Sequence, residues 1–164
     1  MPYDRFYPKL MDFSVWIYTN IMRFGIYENE SVVKYAAADK NSNVLDYGCN
    51  TGRHASIVKQ AYGYNVMGAD INPAAISVTQ RKGIPAELIT PEFFEKYKFS
   101  FDIIINSHVL EHVDDPKDFL VNIKGMLKDE GTFVIVIPQE RIRGDITIPQ
   151  ILYFFLRLKF ENPH

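Results

Sequence analysis

Glycine and asparagine alternate in the run Asp46-Tyr47-Gly48-Cys49-Asn50-Thr51-Gly52, and a further acid, Asp70, follows 22 residues after Gly48. Glycine permits positive φ and lets backbone approach a ligand closely, and asparagine is one of few other residues that tolerate a left-handed conformation. Where such a loop opens a helix, the free N–H groups and the helix dipole favour an anionic group such as a carboxylate. An acid about twenty positions on, at the end of the following strand, can accept from both hydroxyls of a ribose. A dinucleotide fingerprint would read G-x-G-x-x-G, whereas this loop reads Gly48-x-Asn50-x-Gly52 with Arg53 next. No G-x-x-x-x-G-K-[ST] run occurs, which excludes triphosphate binding by that device. A nucleoside without a polyphosphate remains.

These residues need elements to hold them, and the chain alternates short β-rich runs with helical ones. Val44–Tyr47 is a buried-strand pattern that runs into the glycine loop, and a helix follows from about Arg53 to Ala61. Asn65–Asp70 is a second strand, Asn72-Pro73 supplies an N-cap with proline at the first helical position, and that helix runs to about Lys82. Ala86–Ile89 is a weaker third strand and Pro91–Tyr97 a short helix. Phe101–Asn106 is apolar at consecutive positions, as a strand buried on both faces should be. Asp115-Pro116 opens a helix carrying Phe119, Leu120, Ile123 and Leu127 at helical spacing, and Gly131–Ile137 is a fifth strand. Strands separated by helices imply an α/β fold with a Rossmann-like parallel sheet flanked by helices. Three regions follow: an aromatic-rich helical segment over 1–42, a core over 43–138, and an apolar tail over 139–164.

Composition agrees and excludes alternatives. The 164 residues fit one domain, 47% are apolar and 23% charged, so disorder, collagen and coiled coil are excluded. A net charge of −2 lacks the basic excess of a chain that holds nucleic acid by charge. The single cysteine cannot form an internal disulfide, the amino terminus has no secretory pattern, and the longest apolar run, Ile151–Leu156, falls far below a transmembrane span. A cytoplasmic setting is expected.

The ordered set Val44–Gly52, Gly68-Ala69-Asp70-Ile71, Phe101–Ile104, Val109–Pro116 and Leu127–Phe133 resembles the class I S-adenosylmethionine-dependent methyltransferases. The similarity is greatest to the small-molecule subgroup that includes the ubiquinone-biosynthesis O-methyltransferases. Asn50 stands where that family usually has glycine. The resemblance implies S-adenosylmethionine as cofactor, with S-adenosylhomocysteine as product, and methyl transfer to a small-molecule acceptor, most simply a hydroxyl. By position, Gly48, Cys49, Asn50 and Gly52 would cradle the cofactor and Asp46 would orient its amino group. Asp70 would hold the ribose, Ile71 would pack on the adenine, and Asn106 would face the methionine end. An adenine-amino contact falls near Thr90–Glu92. His108 and His112 follow the fourth strand, where the family's substrate lies. Histidine is suited to removing a hydroxyl proton, with His108 first and His112, which also suits local capping, second. Glu111 is expected to make a structural contact, and His54 to be a surface or capping histidine.

Two rivals follow from the same resemblance. His108-Val-Leu-Glu111-His112 lies where metal-assisted RNA 2′-O-methyltransferases carry Glu-x-x-Glu-His, and His164 could add a ligand. No metal is assigned, because the first ligand is changed and the charge does not favour RNA. The chain could instead be an inactive cofactor-binding subunit that activates a partner methyltransferase. The family sheet usually ends in a further antiparallel hairpin, and the 26 residues after Pro138 read as helix or loop. The last two strands are therefore expected to be lacking. Either the chain is a fragment of a longer protein, or a homodimer covers the edge of the fifth strand.

Overall fold

The computed structural model describes Trp16, residues 24–36 and residues 41–137. Strand β1 (Asn43–Tyr47) buries Val44, Leu45 and Asp46, and β4 (Phe101–Ser107) buries Ile103, Ile104 and Ile105. Successive strand residues face opposite ways, so apolar runs of this kind require cover on both faces of a sheet. β2 (Asn65–Asp70) and β3 (Ala86–Leu88) extend the sheet on one side and β5 (Leu127–Val136) on the other. All pairs are parallel, in the order β3-β2-β1-β4-β5. The expected Rossmann-like sheet is thus the fold observed.

Helices α1 (Phe24–Tyr35) and α2 (Arg53–Tyr62) cover one face, where Val32, Ala55 and Val58 pack with Val44, Ile103, Ile105 and Val134. Helices α4 (Pro91–Lys96) and α5 (Pro116–Met126) cover the other, with Phe93, Phe119, Ile123 and Met126 against Leu45 and Ile104. Each such buried aliphatic or aromatic side chain stabilises the fold by about 1.5–3 kcal/mol. Helix α3 (Pro73–Arg81) contacts β2 and β3. The two Asx-Pro starts are real caps: Asn72 Oδ1 accepts from the Ala74 N–H at 2.9 Å, and Asp115 Oδ1 from Lys117 and Asp118 at 2.9 and 3.1 Å.

The helical spacing of Phe119, Leu120, Ile123 and Leu127 extends one residue too far. Helix α5 stops at Met126, and Leu127 is extended and pairs with Phe101. The carbonyls of Gly125 and Met126, which another helical turn would use, accept instead from the N–H groups of Phe99 and Ser100. Strand β5 therefore begins four residues before Gly131. It carries a bulge in which the step from Phe101 to Ile103 on β4 is matched by Leu127 to Thr132 on β5, with Glu130 at φ 62°. Trp16 and the backbone of the first turn of α1 aside, the aromatic segment Tyr3–Tyr27 lies outside the described residues. So does the chain after Ile137, including Ile146–Phe160 and His164. Five strands lie within the described residues, and no described helix is long and apolar enough to cross a membrane.

Candidate functional site

Strand order reverses between β1 and β4, and the loops that leave their carboxyl ends diverge there, which makes room for a ligand. The loop after β1 is sharply bent, with Gly48, Asn50 and Gly52 at φ 76°, 47° and 70°. It is tied to the neighbouring strand, since the N–H groups of Gly48 and Cys49 both donate to the Ala69 carbonyl at 2.8 and 2.9 Å. A Cβ on Gly48 would run into Val109 Cγ2, and one on Gly68 would lie 2.7 Å from Cys49 Sγ. Backbone there has space for neighbours and none for side chains.

Asp70 ends β2 and is fixed at both oxygens. Oδ2 accepts the Asn50 N–H and Oδ1 the Asn72 N–H, each at 2.9 Å. A carboxylate offers about four acceptor positions, so two remain for a ligand's hydroxyls. Asp70 lines a cleft of about 660 Å³ with Gly48, Asn50, Ile71, His108 and His112. That volume lies within the range for small-molecule sites. Ile71 is 77% exposed, a large apolar side chain on the cleft wall.

The other predicted residues lie behind this wall. Asp46 is buried, and its Oδ2 accepts from the Ala55 N–H at 2.9 Å, capping the first turn of α2. Burial pushes the Asp46 carboxyl above its usual range, opposed by the charge of His54 and the Ala55 bond. Cys49 is buried against Gly68 and Thr79, its Sγ 3.6 Å from Thr79 Oγ1, and burial pushes its thiol up to about 12. Gly52 is the N-cap position of α2. Asn106 is fully buried and donates from Nδ2 to the Tyr47 carbonyl at 3.3 Å. Near the third strand the cleft wall is Ile89, and Thr90–Glu92 do not reach it.

The far wall is the turn after β4. His108 takes φ 56°, an uncommon value for a side-chain-bearing residue that is frequent at functional sites, and its N–H donates to Val136 at 2.9 Å. Its Nδ1 lies 3.4 Å from Glu111 Oε1 and its Nε2 3.8 Å from Glu28 Oε1. Glu111 therefore makes its contact to the candidate base. His112 lies in the 3₁₀ turn Leu110–His112 and also faces the cleft. Val109, Val113 and Phe119 supply the apolar surface, and Tyr47 stands edge-on to Phe119 with ring centroids 5.6 Å apart. Burial, with the Asp70 charge, pushes the Tyr47 phenol up to about 12, so it stays protonated and can donate.

His54 departs from expectation, because it is buried rather than at the surface. Its Nε2 lies 3.0 Å from Glu28 Oε1 and 2.9 Å from Arg53 Nη2. The same carboxylate oxygen accepts from Arg53 Nη2 and Ser107 Oγ, both at 2.7 Å. Burial raises the Glu28 pKa, but the bonds to His54 and Ser107 and the charge of Arg53 outweigh it and hold the carboxyl well below the usual range. Sequence reading missed Glu28. It lies 20 residues before Gly48 in no motif, and only the packing of α1 brings it to the site.

The residues fit an adenosyl amino acid. Asn50 Oδ1, on a residue of the cleft wall, is a buried acceptor without a partner that a ligand's hydroxyl or amino protons would satisfy, whereas the equally unpartnered Asn106 Oδ1 lies behind the wall. The cleft wall carries Asp70 and Asp115 but, among the described residues, no lysine or arginine, which suits a ligand without a polyphosphate. No three His, Cys, Asp or Glu side chains converge as metal ligands among the described residues.

Comparison with known proteins bears on the family and the fold. A family profile described as a methyltransferase domain matches residues 21–162. The chain is 31% identical over 124 residues to a tRNA U34 carboxymethyltransferase of Methylococcus capsulatus, covering 70% of this chain and 38% of that protein. It is 30% identical over 111 residues to a ubiquinone biosynthesis O-methyltransferase of Pelagibacter ubique, covering 64% and 45%. It thus spans under half the length of these curated relatives. Among solved structures, Haemonchus contortus phosphoethanolamine N-methyltransferase 2 in complex with S-adenosyl-L-methionine superposes with a TM-score of 0.61 at 17% identity, covering 80% of this chain and 32% of that one. That match reflects the shared fold. The family profile spans most of the sequence, and the fold is the one its members share: the chain belongs to the class I S-adenosylmethionine-dependent methyltransferases.

Proposed function

We propose that this chain binds S-adenosylmethionine in the cleft between the β1 and β4 loops and transfers its methyl group to a hydroxyl of a small molecule. The observation that carries the reading is the single cleft that joins Gly48, Asn50 and Asp70 on one wall to His108 and His112 on the other. When bound, the cofactor supplies an electrophilic methyl group. Asp70 binds the ribose hydroxyls, the Gly48–Gly52 backbone receives the amino-acid end, and Ile71 covers the adenine. Asp46 and Asn106 act from behind, Asp46 by fixing α2 and Asn106 by holding the Tyr47 carbonyl at the end of β1. On the acceptor side, Val109, Val113 and Phe119 exclude water, and alignment of the nucleophile in such a site contributes several kcal/mol. His108 takes the acceptor's proton at Nε2 or Nδ1, its ring oriented by the carboxylates of Glu111 and Glu28. A cytoplasmic setting suits the unpaired Cys49.

Calorimetry with S-adenosylmethionine and S-adenosylhomocysteine tests the binding half. Micromolar-range affinity is expected, weakened at least tenfold, or about 1.4 kcal/mol, by Asp70→Ala. Equal affinity in both chains removes the ribose assignment. Transfer of a labelled methyl group to a set of catechols, beside bulk tRNA, tests the acceptor. A tRNA acceptor is the second reading, favoured by the 31% identity to a tRNA-modifying enzyme. The net charge of −2 and the cleft wall favour the small molecule. Binding without turnover on any acceptor would favour the role of a cofactor-binding subunit that activates a partner. A homodimer across β5 belongs to the same proposal, and light scattering at twice 19.0 kDa would support it.

A further inference from the structure

Glu28 occupies an unusual position for a carboxylate, on the side of α1 that faces α2 and the end of β4. Its side chain is 9% exposed, and one oxygen meets Arg53, Ser107 and His54 within 3.0 Å. Arg53 and His54 form the first turn of α2, directly after the bent loop. Ser107 ends β4, directly before His108. One atom therefore spans the two walls of the cleft from beneath, and it belongs to neither.

Apolar packing would hold α1 in place more simply. Val32 and Ala36 already seal the helix against the sheet, and taking a charge out of water costs several kcal/mol before its bonds return any of it. A carboxylate adds what an aliphatic side chain cannot, namely direction. Its donors must stand at fixed angles and distances. His54 Nε2 can donate to Glu28 or accept from Arg53, but not both at once, so the guanidinium and the imidazole are ordered around the same oxygen.

We propose that Glu28 is a positioning residue that joins α1 to both walls of the cleft, fixing the first turn of α2 against the end of β4 and orienting His108. Its consequence for catalysis rests on the methyl-transfer reading, since displacement of a base by about 1 Å from its line of action can cost a hundredfold in rate. Cofactor contacts are held separately, through Asp70 to Asn50 and Asp46 to Ala55. Loss of Glu28 should thus disturb the acceptor wall and spare cofactor affinity.

Histidine-selective NMR on the full chain, with ring signals assigned by single His→Gln variants, tests this directly. In Glu28→Gln the His54 and His108 ring signals move or broaden while that of His112 holds, and hydrogen-exchange protection of α1 falls about tenfold against α3. Affinity for S-adenosylhomocysteine stays within about threefold of the parent chain. On a catechol that the parent methylates, kcat falls about tenfold or more with KM little changed. An unmoved His108 signal in a variant that melts as cooperatively as the parent overturns the proposal. Should Glu28→Gln not fold, Ser107→Ala removes the β4 half of the link and must shift His108 on its own. Failure of the parent chain to bind S-adenosylhomocysteine would count against the cofactor reading and leave the NMR result to judge Glu28.

Discussion

The backbone N–H of Asn50 donates to Asp70 Oδ2 at 2.9 Å, so the bent loop and the acid that faces the same ligand are bonded to each other 20 residues apart. The Asn72 N–H holds the other oxygen. Asp70→Asn keeps the shape but leaves one of these N–H groups facing an NH₂ group. The expected result is a loss of about 1–2 kcal/mol in denaturant unfolding, as for a buried donor left unpaired, together with at least tenfold weaker cofactor binding by calorimetry.

Gly48 combines φ 76° with direct contact to Val109. Gly48→Ala should destabilise by about 1–2 kcal/mol from conformation alone, with a further loss from the clash. Adding Val109→Ala should recover the clash and not the conformational part. Urea unfolding of the two single variants and the double variant checks this, and full recovery would contradict the assigned strain.

Cys49 is 5% exposed, and its thiol is pushed up to about 12. The native chain at pH 8 should therefore react with a thiol-specific disulfide reagent far more slowly than the denatured chain, because the thiolate is the reactive form. Equal rates would place the thiol in solvent and contradict the packing against Gly68.

Glu28 titrates below its ordinary 4.5 in the folded chain, so the unfolded state binds its proton more readily. Its stabilisation is complete above 4.5 and fades as pH falls below that value. Glu28→Gln should be less stable than the parent by about 1.5–3 kcal/mol at pH 7, the range for hydrogen bonds to a charged group. The gap should narrow as pH is lowered from 4.5. Melting temperatures at a series of pH values measure it, and a gap that widens toward acid would reverse the sign.

Strands β1, β2 and β4 and the Asn72 and Asp115 caps of α3 and α5 are legible in the sequence because one local rule governs each. A consecutive apolar run of strand length suits a sheet covered on both faces, and Asn72-Pro73 and Asp115-Pro116 each pair an N-cap with a proline suited to the first helical turn. The end of α5 is not legible, since Leu127 suits either period and the decision lies with Phe99 and Ser100, whose N–H groups capture the final carbonyls. In the cleft, Gly48, Asn50 and Asp70 announce themselves by residue type and spacing along the chain, and Ile71 only through the family resemblance. The roles of Asp46 and Cys49 depend on which way a side chain turns from the strand end, which spacing does not state. Glu28 and His54 are bonded across 26 residues, and a single sequence offers no mark of such a pairing.

The bond from Glu28 to Ser107 has a practical side for anyone who wishes to shorten this protein. A version cut just ahead of β1 would retain the five described strands, the glycine turn and the acid at the end of β2, but would lose α1 and the cover Val32 gives Val44, Ile103 and Ile105. It would also leave Arg53 and His54, in the first turn of α2, without the carboxylate that pairs with both.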